Sequence, residues 1–473
     1  MQSDAKASLN AEWLAIRPNS DTALMLGLAH TLLAEDLHDG AFLEQYCVGF
    51  DHFRNYLLGT ADGQPKDARW AEHLTDIPAA TIQSLARRMA AGRTMITVSW
   101  SIQRADHGEQ PYWAAIALAA MLGQIGLPGG GFGFGYGASA GLGSPVTGMR
   151  VPSLPVGDNP VKTFIPMARF ADMLLNPGAP YEFNGQHLSY PDIRLMYWCG
   201  GNPFHKVQDL NRLLRAWQKP ETIIIHDPWW TPAAQRADIV LPCATTLERN
   251  DLGATSIDRF VFAMQKAIDP VGEARTEYDI YTDLSERLGF KATFTENRSE
   301  FDWLRHLYGM MQQQAVAKHQ NMPDFDAFWE AGYVECPPSE TPTVLFDAFR
   351  RDPTASPLKT PSGRIEIFSE TIAAFDYDDC PGHATWLEPA EWLGSDQAKR
   401  YPLHLLSNQL SARLHSQLDG GAVSQRDKVN RHMLTRDCGT SRLAQSCSAQ
   451  TALVDLERAQ GDVPNLGVRS SIT

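Results

Sequence analysis

The segment from Ile193 to Leu241 does most to limit what this chain can fold into. Ile193 to Trp198 has the apolar, aromatic-rich character of a strand, and Cys199-Gly200-Gly201-Asn202-Pro203 can only be a tight loop. Val207 to Trp217 then has helical spacing, Thr222 to Ile225 is a second strand, and Asp238 to Leu241 a third after a brief helical crossover. Strand, crossover and strand in this order predict a βαβ unit and a parallel sheet, because a helical crossover returns the chain to the same end of the sheet.

The same grammar is present nearer the start. Glu12 to Ile16 predicts a short strand running into Arg17-Pro18-Asn19-Ser20-Asp21 and a helix on which Leu24, Leu28 and Leu32 recur. Ser20 or Asn19 suits the helix cap and Asp21 its first turn. Ile77 to Ala91 predicts a helix, Thr94 to Val98 a strand, Ser99 to Arg104 a polar loop, and Tyr112 to Leu122 another helix. The run Gly126 to Gly137 is too rich in glycine for regular structure and marks the approach to a boundary near residue 150. Glu277 to Leu288 and Phe301 to Met311 read as helices, and Gly363 to Phe368 as a strand. Cys336 to Pro342 and Pro357 to Pro361 read as irregular connectors. After residue 400 only Tyr401 to Leu406 and Thr451 to Leu456 resemble strands, and no internal repeat is visible.

Composition removes several classes of function. The 473 residues carry 41 Lys plus Arg against 55 Asp plus Glu, a net charge of −14, which argues against a nucleic-acid partner. The longest apolar stretch, Trp113 to Ile125, is about 13 residues, short of the roughly 20 that cross a bilayer, so no membrane span is expected. The first thirty residues show neither a secretory signal nor a twin arginine, so the chain as written is expected in the cytoplasm, with the periplasm the alternative if a preceding segment carried an export signal. Cys47, Cys199, Cys243, Cys336, Cys380, Cys438 and Cys447 form no C-x-x-C pair, so no zinc ribbon or iron–sulfur site is spelled out, and most are expected to be inert core thiols. No G-x-S-x-G, H-E-x-x-H, Walker or kinase motif is present.

Ligands of wound α/β sheets sit outside the carboxyl ends of the strands, which leaves three loops to consider. Gly200-Gly201-Asn202-Pro203 allows close backbone approach to a phosphate, and Asp227 at the next strand end can accept from ribose or guanine; a plain tight turn is the alternative. The spacing is not that of a G-x-G-x-x-G dinucleotide fingerprint. Arg104 after Trp100 suits a phosphate or a pterin carbonyl, against a solvated arginine with Trp100 in the core. The glycine run forms either an anion-binding nest or a surface loop. Trp229 and Trp230 are expected in the core rather than as a stacking platform, and His415 lacks a visible catalytic partner.

Seven blocks carry a resemblance to a known family: IRPNSDTALMLGLAHTL, TMITVSWSIQRADHGEQPYWA, LGQIGLPGGGFGFGYG, YWCGGNPFHKVQDLNRLLRAW, HDPWWTPAAQRADIVLPCATTLERND, PSGRIEIFSETI and SARLHSQLD. Together they resemble the molybdopterin oxidoreductases, most of all the dimethyl sulfoxide, trimethylamine N-oxide and biotin sulfoxide reductases. The resemblance implies an α/β fold of two doubly wound, Rossmann-like domains with mostly parallel sheets, at 1–150 and 151–380, and a remnant of a C-terminal β-barrel domain at 381–473. It implies one molybdenum held by two molybdopterin guanine dinucleotides, no iron–sulfur cluster, a small S-oxide or N-oxide as substrate, and an electron donor. Pro18, Ser20, Asp21, Trp100 and Arg104 would face one dinucleotide, and Gly200, Gly201, Asn202, His205 and Asp227 the other. Gln409, Ser411, His415 and Gln417 match positions that line the pterins, with Gln409 where relatives often carry His.

Two departures from the family pattern shape the reading. Relatives carry an N-terminal region of roughly one domain that supplies the metal ligand, so no catalytic or metal-binding residue is nominated here. Lys428-Val429-Asn430 lies close to Leu434 to Gln445 and Ser448 to Val454, where relatives have much of a β domain between them, which implies an internal deletion. The expectation is a fragment of an S- or N-oxide reductase; the alternative is a noncatalytic nucleotide-binding scaffold.

Overall fold

The structure is a computed structural model, and it describes residues 9–135, 153–255, 259–317, 319–336, 343–402, 418 and 421–423, with the backbone of 403–406 and 433–436. The chain divides into two compact units, unit 1 comprising Met1–Phe134 with Val344–Thr473 and unit 2 comprising Gly135–Thr343. Residues 344–380, assigned to the second domain on sequence grounds, therefore pack with the first.

Unit 1 opens with α1 (Asp21–Ala34), α2 (Gly40–Tyr46), β1 (Cys47–Val48), α3 (Phe50–Leu57), α4 (Ala68–Thr75), α5 (Ala79–Ala91), β2 (Met95–Val98), α6 (Gln110–Met121) and β3 (Gly131–Phe134). Helix α1 is buried on nearly every side: Ala23, Leu26, Leu28, Ala29 and Leu32 all lie in the core, so it is a central helix rather than a surface one. At Gly27 a Cβ would lie 2.6 Å from that of Ala71, which explains the small residue where α1 meets α4. Alanine-rich α6 is buried in the same way.

Two expectations fail here. Glu12 to Ile16 is not a strand, since among the described residues no strand pairs with its backbone; the Glu12 side chain forms an ion pair with Arg88. The glycine run is not wholly irregular, since Gly131–Phe134 pairs in parallel with Met95–Val98. Phe132 and Phe134 give that strand side chains to pack, the latter edge-on to Tyr112, while residues 136–152 lie outside the described residues.

Unit 2 contains α7 (Phe170–Leu175), the hairpin β4 (Pro180–Phe183) and β5 (Gln186–Ser189), then β6 (Leu195–Cys199), α8 (Leu210–Ala216), β7 (Thr222–His226) and β8 (Ile239–Leu241). Strands β6, β7 and β8 form the expected three-stranded parallel sheet, with Trp198 opposite Ile225 and His226 opposite Leu241. Beyond it β9 (Asp251–Ala254), β10 (Phe260–Met264), α9 (Glu277–Arg287), α10 (Lys291–Thr295), α11 (Glu300–Ala317), α12 (Phe325–Ala331) and β11 (Tyr333–Glu335) follow. The antiparallel set β11-β10-β9 shares a small core with α11 and α12 around Tyr308 and Phe328, stacked 4.3 Å apart.

The chain then returns to unit 1 with α13 (Asp347–Arg351), β12 (Ile365–Glu366), α14 (Glu370–Ala373), α15 (Asp396–Arg400), β13 (Leu403–Leu406) and β14 (Met433–Arg436). Strand β12 pairs in parallel with β1, and Arg350 Nη1 donates to the carbonyls of Gly123 and Ile125 at 2.7 and 2.8 Å. Strands β13 and β14 are antiparallel, and the expected strand at Thr451 to Leu456 lies outside the described residues. The architecture mixes helices with parallel sheets at the two places that carry the candidate loops. Among the described residues no helix is long and apolar enough to cross a membrane. Burial pushes the Cys47 thiol up to about 12 and the Cys243 thiol to about 11, as expected of inert core thiols.

Candidate functional sites

In unit 1 the start of α1 faces the loop that leaves β2. Arg17 locks the approach: its Nε donates to Asp76 Oδ2 at 3.0 Å, its Nη2 to Oδ1 at 2.5 Å and its Nη1 to the His73 carbonyl at 3.2 Å. Pro18 is half-buried, and Asn19 sits at φ 67°, in the left-handed region that asparagine tolerates. Ser20 is fully buried, and its Oγ donates to the Arg17 carbonyl at 2.7 Å instead of capping α1. It is therefore a builder of the loop, and the cap expected of Ser20 or Asn19 is not made.

On the other side, Ser99 Oγ accepts from Ser101 N and starts a short 3₁₀ turn, Trp100–Arg104. Trp100 is 53% exposed, not in the core, and the Arg104 guanidinium is exposed with no ion pair among the described residues. Between these elements lies a small pocket of about 50 Å³ lined by Asn19, Asp21, Thr22, Asp106, His107 and Gln110, with Ile102, Pro111, Trp386, Leu387 and Pro389 supplying apolar wall. Burial raises the Asp21 carboxyl above its ordinary value, partly offset by a bond from its own backbone N–H. Asp106 Oδ2 accepts from Ala390 N at 2.9 Å and lies 3.8 Å from His107 Nε2, while buried Gln110 accepts from Thr385 N. Asp106, His107, Gln110 and Trp386 were not singled out from the sequence, although D-H-G-E-Q lies inside one of its recognisable blocks.

In unit 2 the loop after β6 turns on Gly200 at φ 73° and Gly201 at φ 72°, a pair of left-handed positions that only glycine adopts without strain. Trp198 Nε1 donates to the carbonyls of both. Asn202, 1% exposed, accepts from Phe204 N and contacts His205 Nδ1 at 3.1 Å, so it shapes the loop from within; the His205 side chain is exposed. A Cβ on Gly201 would lie 2.7 Å from Lys206 Nζ, which places that ammonium over the loop with no ion pair among the described residues. Lys206 also went unremarked in the sequence, where only its position behind Gly-Gly-Asn-Pro could have drawn attention.

Asp227, at the end of β7, accepts from Trp229 N at 2.9 Å and from Thr231 Oγ1 at 2.6 Å, so its carboxylate first rigidifies its own loop. Trp229 and Trp230 are 65% and 69% exposed, against the expectation of core positions. Their loop backbone is tied down, with Gln235 Nε2 donating to the Trp230 carbonyl. Gln409, Ser411, His415 and Gln417 lie outside the described residues.

These two places offer glycine backbone, cations without an ion pair among the described residues, and carboxylates with acceptor capacity. Among the described residues no cluster of three His, Cys, Asp or Glu is placed to hold a metal ion. A family model described as molybdopterin oxidoreductase matches residues 2–287, a span that includes both strand-end loops. The chain belongs to the molybdopterin oxidoreductase family. As a family member it is 50% identical to the biotin sulfoxide reductase of Cereibacter sphaeroides over 89% of its own length and 57% of the relative's. It is 49% identical to the dimethyl sulfoxide/trimethylamine N-oxide reductase of the same organism, over 87% and 52%. With the trimethylamine-N-oxide reductase of Salmonella typhi, 40% identical over 96% of this chain and 63% of the relative, the match runs over 543 residues, more than the 473 present here. That relative therefore has internal residues without a counterpart in this chain, while the chain spans little more than half the length of the curated relatives it matches. Among solved structures, acetylene hydratase from Pelobacter acetylenicus matches with a TM-score of 0.59 at 19% identity, covering 89% of this chain and 58% of that one, which shows the shared fold.

Proposed function

We propose that this chain is the dinucleotide-binding part of a reductase of S-oxides or N-oxides that works with a molybdenum–molybdopterin guanine dinucleotide cofactor, built on two doubly wound α/β halves with a β remnant at 381–473. The observation that carries the reading is the 49–50% identity to two named sulfoxide and N-oxide reductases across nearly nine-tenths of the chain. The residues present fit such a group. The cavity in unit 1 offers Asp21, a half-buried carboxylate suited to the paired N–H donors of guanine, with exposed Arg104 and Trp100 on the adjoining turn. In unit 2, Gly200 and Gly201 admit a diphosphate against the backbone, Lys206 supplies positive charge, and Asp227 keeps acceptor capacity for a ribose beyond the bonds it already makes.

When bound, the cofactor supplies two-electron chemistry that accepts oxygen from the substrate; the protein's share is to hold and orient it and to exclude water. An electron donor completes the cycle. The test is to purify the chain from cells supplied with molybdate and to measure molybdenum, GMP released by acid, and viologen-linked reduction of biotin sulfoxide, dimethyl sulfoxide and trimethylamine N-oxide. Molybdenum and GMP together support the reading. GMP without metal or activity favours a nucleotide-binding scaffold, and absence of all three overturns both.

A further inference from the structure

At the carboxyl ends of β6 and β7 lies a group of side chains that no step above uses. Tyr197 Oη and His226 Nε2 are 2.7 Å apart; the His226 ring stacks on Tyr281 of α9, centroids 5.2 Å apart and planes 19° apart; and Tyr281 Oη lies 2.7 Å from Cys199 Sγ. This chain of contacts joins three elements. Two of its three strand residues are immediate neighbours of the candidate loops, since Cys199 precedes Gly200 and His226 precedes Asp227.

His226 is 3% exposed, and its Nδ1 is buried without a hydrogen-bond partner. We assign the neutral ring as the Nδ1–H tautomer, in which the Tyr197 hydroxyl, with no other acceptor among the described residues, donates to Nε2. A second proton must go to Nε2. The 2.7 Å bond would then have to reverse, with Nε2–H donating to Tyr197 Oη and the hydroxyl hydrogen turned toward no acceptor, and a positive charge would sit in a nearly dry site.

The groups set against the ring are Tyr197 and, by strand register, Cys199 from β6, with Tyr281 and the charge of Glu277 from α9; Asp227 follows it in sequence, and the Cys243 thiol beyond β8 feels both Glu277 and Asp227. Two of these are carboxylates, and the Glu277 charge favours the imidazolium. Loss of hydration outweighs it and holds the ring below its ordinary value.

We propose that His226 is a positioning residue: in its neutral form it latches the Gly200–Gly201 loop and the Asp227 loop to α9, and protonation releases both. The assignment of a dinucleotide to these loops rests on the reading above; the latch itself does not. Because the native ring resists protonation, the latch is fully closed above the ordinary imidazole range near 6.5 and opens as the pH falls below it.

Hydrogen–deuterium exchange of the full chain tests this, with rates corrected for the intrinsic effect of pH. Peptides covering Cys199–Asn202 and Asp227–Thr231 should exchange on the order of tenfold faster at pH 5 than at pH 7.5. In His226→Gln, which can accept from Tyr197 and never titrates, they should stay protected at both values; in Tyr197→Phe they should be open at both. Equal acid opening in wild type and His226→Gln overturns the latch, as does protection unchanged by pH in the wild type. Should the variants not fold, ¹⁵N chemical shifts of His226 in the wild-type chain decide: titration at or above the ordinary imidazole value also overturns it. GDP added at pH 7.5 forms a separate arm. Protection of the two loops by GDP that is lost at pH 5 supports latch and ligand together, whereas pH-dependent loops that GDP never protects keep the latch and sink the dinucleotide assignment.

Discussion

In unit 1 the pocket walls come from three stretches far apart in sequence, 19–22, 102–111 and 386–389, whereas in unit 2 the candidate loops leave two adjacent parallel strands within thirty residues of each other. The first is a small pocket whose carboxylate is held above its ordinary value by burial. The second is an open loop pair whose carboxylate is occupied with its own backbone and whose shape is set by glycine and by a polar cluster beneath. One site depends on long-range packing for its existence, and the other on local geometry. Perturbing the core should therefore erase the first and spare the second.

The largest effect should come from Leu26→Ala, which empties fully buried space in α1. We expect a loss of about 2–5 kcal/mol, confined to the unfolding transition of unit 1 in urea followed by tryptophan fluorescence and exchange. A uniform loss across both units would break the contrast. Next, Asp21→Asn should weaken GDP binding in the cavity by about 10- to 100-fold, measured calorimetrically, while making unit 1 more stable at pH 7. Burial raises this carboxyl, so the folded wild type binds its proton more readily than the unfolded chain does. The stability gap to the variant should accordingly close as the pH falls through the raised value toward the ordinary 3.8.

Lys206→Ala should cost about fivefold in GDP affinity at the unit 2 loops and make the remaining affinity less dependent on salt, with no change in unfolding. Thr231→Val should have the smallest consequence, about 1 kcal/mol, read as faster exchange of the Asp227–Thr231 amides alone. If Lys206→Ala lowered stability instead of affinity, the ammonium would be a structural prop rather than a free cation.

The same contrast explains what could be read from the chain before its structure. The β6-α8-β7-β8 unit was legible because alternating apolar strands, Gly200-Gly201 and a short crossover are all local signals. Helix α1 was legible in place, though its burial on nearly all sides was not, since Leu24, Leu28 and Leu32 mark one stripe and the packing of Gly27 against Ala71 marks another. Glu12 to Ile16 misled because strand propensity means little without a partner, and Gly131–Phe134 misled in the other direction because β2 supplied one. Trp386 could not be placed in a cavity wall from sequence, because what brings it there is the bond from its N–H to Tyr56 Oη, 330 residues away. Trp229 and Trp230 illustrate the limit of composition: an indole's preference for the core does not by itself place it there.

The pairing of β12 with β1 across three hundred residues has a consequence for how the protein is made. Unit 2 is a continuous insertion, so it has all its contacts once residue 343 has been translated. Unit 1 does not, because Arg350, Ile365 and Trp386 must arrive from the far side of that insertion. At about 5–20 residues per second, the nascent first half waits on the order of ten to forty seconds with its central helix unsealed. A ribosome carrying this message thus displays a finished second half before the first can close, and chaperone demand should peak on the segment that precedes the insertion.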